Sequence, residues 1–161
     1  MPDATQPSPP DRPLPPLPPV PRWAASLGYA GLLPFVAFAA AAWLAPTAYR
    51  GQTAFALLAY GASIASFLGA IHWGLAMREP LTPQPSAFVW GVFPSLVAWV
   101  AMLLPISQGL VTTALLLGIC YAVDLRKYPA YGLSAWLEMR LQLTLVAGVC
   151  LLLGSLAGSP H

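Results

Sequence analysis

Five long apolar runs alternate with short polar breaks along this chain, at 27–45, 53–77, 87–104, 107–123 and 134–157. Runs of this length and apolarity predict membrane-spanning helices rather than core helices of a soluble domain, since about 20 apolar residues cross the hydrocarbon region. The third and fourth runs meet at Pro105 with almost no connector, which predicts a tight helical hairpin. In the fifth, Ser134 is positioned as a helix cap, and Glu138 follows in the first turns, where the helix dipole favours a negative charge. The fold class expected is therefore all-α: a polytopic bundle of five transmembrane helices.

Composition agrees with that pattern. Of 161 residues, 58% are hydrophobic and only 7% charged, and the mean hydropathy is +0.69. A soluble domain normally carries about 25% charged residues, so this chain has too few to cover a water-facing surface. The net charge is +2, with no basic patch that would suggest nucleic acid. Cys120 and Cys150 both lie in apolar runs, outside any C-x-x-C or Cys/His cluster, and read as small buried hydrophobes. No cofactor or metal is expected. Residues 1–22 hold ten of the nineteen prolines and read as a disordered, proline-rich cytoplasmic tail. Its Arg12-to-Pro18 stretch fits the R-x-x-P-x-x-P pattern of polyproline ligands, which composition alone also explains. A long leader, Pro34 within the first run and Pro46 after it argue against a cleaved signal peptide.

Charge orients the expected bundle. Five spans put Arg12, Arg22, Arg78, Arg126, Lys127 and Arg140 on one side and Arg50 alone on the other. Six against one predicts the N-terminus in the cytoplasm and the C-terminus outside. Trp23, Tyr29, Trp73, Trp90, Tyr128, Tyr131 and Trp136 then fall near the inner interface, and Trp43 and Tyr49 near the outer one.

Within the second run, Gly61, Ala65 and Gly69 recur every fourth residue, and His72 follows on the same side of the helix. Small residues in a row let a neighbouring helix approach closely. Gly31-Leu-Leu-Pro34 in the first run resembles Gly91-Val-Phe-Pro94 in the third, sixty positions later, and both place a kinking proline in a helix. The pair hints at a duplicated hairpin.

Chemistry is scarce. His72 lies six residues before Arg78, about 9 Å deeper along a helix, and is the most deeply placed ionisable side chain. Asp124, Glu138 and Arg140 end spans on the same side, so the expectation is that His72 faces the bundle beside Asp124 or the Glu138/Arg140 turn. Such a cluster serves either as a functional site or as hydrogen-bonded glue between helices. Ser63 and Ser66 are expected to bond back to their own helix.

The stretches LGYAGLLPF (27–35), YGASIASFLGAIHWG (60–74), WGVFPSLVAW (90–99) and RLQLTLVAG (140–148) resemble a family of small integral membrane proteins, domain of unknown function 3429, related to eukaryotic transmembrane protein 69. The Ile-His-Trp-Gly motif at 71–74 is its most specific part. The resemblance covers most of the chain from Leu27 onward. It implies a bacterial inner-membrane protein, or a mitochondrial one in eukaryotes, and brings no catalytic residues.

Three readings of function follow. The leading one is a non-enzymatic membrane component, such as an assembly factor or a small subunit of a complex. The alternatives are a small proton-coupled transporter using His72, and an intramembrane enzyme on a lipid or quinone with His72 and Asp124 as acid and base. Its partners are the lipid bilayer and, beyond it, a membrane protein complex or further copies of the chain. Arginine outnumbers lysine six to one, a GC-rich bias that favours a bacterial source.

Overall fold

A computed structural model describes residues 20–78 and 85–157 of the chain. The R-x-x-P-x-x-P stretch, most of the proline-rich tail, and the 79–84 connection with Pro80 and Pro83 lie outside the described residues.

The described residues form six α-helices: α1 (Arg22–Ala30), α2 (Leu33–Leu44), α3 (Thr47–Ala76), α4 (Pro85–Leu103), α5 (Ile106–Lys127) and α6 (Leu137–Ala157). They make five helical segments long and apolar enough to cross a membrane, α1 and α2 together making the first. Helix α3 lies at the centre and packs on α2, α4, α5 and α6, which follow one another around it as α4, α5, α6 and α2. Its buried Leu57, Leu58 and Ala65 meet Phe35, Leu110, Leu116, Leu117 and Leu151 from the surrounding helices. Large apolar side chains such as Phe67, Leu96, Trp99, Leu115 and Leu145 point outward. That surface is stable only in lipid.

Helix ends depart from the apolar runs because hydropathy marks the lipid-facing stretch, not the hydrogen-bonded one. Helix α3 starts at Thr47, six residues before the run, because Pro46 in extended conformation opens it directly. Arg50 consequently lies on the helix, where Nε donates to the Ala45 carbonyl at the end of the first span, 3.0 Å away. Helix α5 continues past 123 through Lys127, carrying Asp124 inside it. Ser134 does not cap a helix with its side chain. It opens a short 3-10 turn, Ser134–Trp136, ahead of α6. A second such turn, Tyr128–Tyr131, leads to Gly132 at φ 70°, a left-handed value that favours glycine.

The two proline motifs behave differently. In the first span, Gly31 and Leu32 form a turn that separates α1 from α2, and Pro34 is near the start of α2. Among the described bonds, the Gly31 carbonyl accepts from the Tyr60 hydroxyl at 2.9 Å. A carbonyl left over at a helix break is thus satisfied by the neighbouring helix, as lipid requires. In α4, Pro94 sits inside a continuous helix, so the similarity of the two motifs does not extend to their local structure.

The Gly61–Ala65–Gly69 row is buried throughout, but it does not meet a single partner. A Cβ on Gly61 would touch Thr113 of α5 and Leu151 of α6 at 3.0 and 3.1 Å. One on Gly69 would run into the Gly91 carbonyl of α4. The reason is helical drift: eight residues turn the row by about 80°, enough to change neighbours. His72, eleven residues from Gly61, returns to within about 20° of it and so faces α5 and α6. Ser63 and Ser66 bond back to the Tyr60 and Ala62 carbonyls, at 2.7 and 3.0 Å.

Candidate functional site

Three of the four polar residues singled out in the sequence converge at the end of the bundle formed by the C-termini of α3 and α5 and the N-terminus of α6. His72 is 4% exposed, Asp124 2% and Arg140 7%, so all three are withdrawn from both lipid and water. His72 Nε2 lies 2.9 Å from Asp124 Oδ1. Arg140 donates from Nε and Nη2 to the other oxygen, Oδ2, at 2.9 and 2.6 Å. One carboxylate therefore ties three helices together, with a separate oxygen for each partner.

The local sequence makes this possible. Asp124 falls on the inward stripe of α5 with Leu117 and Cys120, at helical spacing. Arg140 comes in the first turns of α6, where a cation is disfavoured by the helix dipole unless an anion neutralises it. Asp124 supplies that anion. An ionised carboxylate only accepts hydrogen bonds, so the geometry assigns a proton to His72 Nε2. With a neutral imidazole the cluster carries no net charge, which keeps its desolvation penalty lowest.

Aromatic rings enclose the cluster. Trp90 of α4 stands edge-on to His72 with ring centroids 6.4 Å apart, and the Tyr128 ring lies 6.1 Å from it. Tyr128 is buried one turn beyond Asp124 on the same face, the four-residue spacing of helical neighbours. Glu138 is not part of the cluster: it is exposed in the first turn of α6. Trp73, the neighbour of His72, turns outward and donates from Nε1 to the Phe88 carbonyl at 2.8 Å, fastening α3 to α4. Cys120 and Cys150 are buried free thiols.

Beside the cluster lies a cavity of about 600 Å³ that no sequence motif signalled. Helix α1 forms its outer wall, with α3 and α6 behind, and its lining is almost wholly apolar. Arg140, Tyr128 and Thr144 line it, whereas His72 and Asp124 do not. It exists because α1 buries none of its residues and stands away from the bundle. The Tyr29 hydroxyl, donating to Gln142 Oε1 at 2.6 Å, pins that wall to α6.

The family described as protein of unknown function (DUF3429) matches residues 20–156. The chain belongs to this family. Similar curated relatives of this DUF3429 chain include transmembrane protein 69 of Xenopus tropicalis, 38% identical over 142 residues, covering 84% of this chain and 55% of the relative. Transmembrane protein 69 of Mus musculus is 33% identical over 123 residues, covering 73% of this chain and 49% of that protein. The chain thus spans about half the length of the curated relatives it matches. No solved structure matches it significantly. Family and helices together identify an integral membrane protein.

Proposed function

We propose that this DUF3429 protein is a non-enzymatic membrane component, an assembly factor or small subunit that acts through the helix faces it presents. The observation that carries this reading is the closure of the His72–Asp124–Arg140 cluster. Both Asp124 oxygens are occupied, and among the described residues no buried side-chain nitrogen or oxygen lacks a partner. A carrier or an acid–base enzyme needs a proton-exchanging group that faces a path. The adjoining cavity is apolar, and neither His72 nor Asp124 lines it. A carboxylate bonded through both oxygens between three helices fits a clamp that holds the bundle in one packing.

The N-terminus is placed in the cytoplasm and the C-terminus outside, on the six-to-one distribution of basic residues. The excess of arginine over lysine, six to one, supports a bacterial inner membrane. The test is a chromosomally tagged chain, solubilised in a mild detergent and resolved under native conditions. The expected result is co-migration in fixed stoichiometry with at least one other membrane protein, with reduced accumulation of that assembly when the chain is deleted. Migration only alone or as a homo-oligomer, together with loss of proton or solute flux in a normally abundant His72→Ala protein, would overturn the reading in favour of a carrier.

A further inference from the structure

The cavity behind α1 has three properties that define an occupant. First, its length matches one leaflet. Along α3 it reaches from Leu75 to Ile64, eleven residues or about 16 Å, against a half-thickness of about 15 Å for the hydrocarbon core. Second, its volume of about 600 Å³ and apolar lining fall in the range of small-ligand sites, and its outer wall is a single helix facing the membrane. Third, its ends differ. Trp23, Tyr128 and Trp136 line the end where α1 begins and α5 finishes, whereas Phe35 and Ala147 line the deep end.

Among the described residues, exposed charges adjoin in sequence the residues that line the first of these ends. Arg22 precedes Trp23, Arg126 and Lys127 precede Tyr128, and Arg78 follows Leu75 by three residues. All four cations are exposed, and Glu138 is the one exposed carboxylate on that side among the described residues. Arg140 in the lining is already neutralised by Asp124, so the excess positive charge belongs to the rim rather than the wall.

We propose that this cavity is a binding site for one anionic glycerophospholipid, with an acyl chain lying between α1 and the α3/α6 wall and the phosphate held among the rim cations. Apolar depth selects the chain, and rim charge selects the headgroup. A neutral prenylated quinone fits the depth but uses none of the charge.

The test measures thermal unfolding of the full chain purified in a neutral detergent, with dioleoyl phosphatidylglycerol or dioleoyl phosphatidylcholine added. At about a hundredfold excess over Kd, phosphatidylglycerol should raise the midpoint by roughly 5 °C or more, and phosphatidylcholine by much less. Thr144→Trp, which fills the cavity, should abolish the shift. The double variant R126Q/K127Q, at exposed positions that leave the fold intact, should reduce the preference between the two lipids severalfold. Equal shifts for both lipids in the unmodified protein would overturn the proposal. An unchanged preference in R126Q/K127Q, or displacement of phosphatidylglycerol by an equimolar prenylquinone, would do the same. Should Thr144→Trp fail to fold, the charge variant decides.

Discussion

Asp124→Asn tests the clamp most directly. The substitution keeps the shape of the side chain and removes its charge. Arg140, 7% exposed and with two nitrogens on Asp124 Oδ2, is left as a cation without its anion. Breaking a buried pair by removing one partner costs about 3–5 kcal/mol, most of it from the stranded charge rather than the lost attraction. At roughly 2–4 °C per kcal/mol for a chain of this size, the unfolding midpoint should fall by about 6–20 °C. The partner experiment replaces both members. Asp124→Leu with Arg140→Met leaves no charge to strand, and such exchanges are often neutral or stabilising by about 1–4 kcal/mol. The double variant should therefore recover most of the loss, and a double-mutant cycle built from its two single substitutions should give a coupling of at least about 2 kcal/mol. The assay is reversible unfolding in mixed micelles, followed by near-ultraviolet circular dichroism. If Asp124→Asn loses less than about 1 kcal/mol, water reaches Arg140 and the pair is not a closed clamp. If the double variant is as unstable as the single, charge stranding is not the mechanism.

Other residues give simpler tests. Gly69→Ala places a methyl group against the Gly91 carbonyl and should destabilise by about 1–3 kcal/mol, because backbone cannot rotate away. Gly74→Ala, with open space around it, should instead stabilise by up to about 1 kcal/mol, and comparing the two by chemical unfolding isolates the close contact. Tyr60→Phe removes the donor to the Gly31 carbonyl and should cost about 1 kcal/mol, with faster amide exchange at the α1–α2 break. Single cysteines introduced in the Cys120→Ala/Cys150→Ala background should react with an impermeant thiol reagent from the cytoplasmic side at Arg126 and from the outer side at Gln52. The reverse pattern, or labelling of both from one side, would refute the orientation.

How far the sequence could be read follows from what each signal measures. The apolar runs and the scarcity of charge established a helical membrane protein, because lipid demands both continuous hydropathy and internal hydrogen bonding. They did not locate helix ends: Pro46 rather than hydropathy starts α3, and α5 runs four residues beyond its apolar run. Depth along each span was enough to list His72, Asp124, Glu138 and Arg140 together, since charges at one end of an up-and-down bundle share a layer. Depth could not say which way each side chain points. Rotation about the helix axis separates Asp124, facing inward, from Glu138, which lies two residues from Arg140 and turns out to solvent.

The sequence alone thus determined the class, the span number and the layer in which the polar residues lie, because these depend on composition and on distance along a helix. Tertiary structure decided the rest. It split the row from Gly61 to Gly69 among three neighbours, broke the first span at Gly31 but not the third at Pro94, and set α1 apart from the bundle to leave a cavity. These features depend on how rotated helices meet, and inside a membrane that is governed by side-chain shape and a few hydrogen bonds rather than by hydropathy.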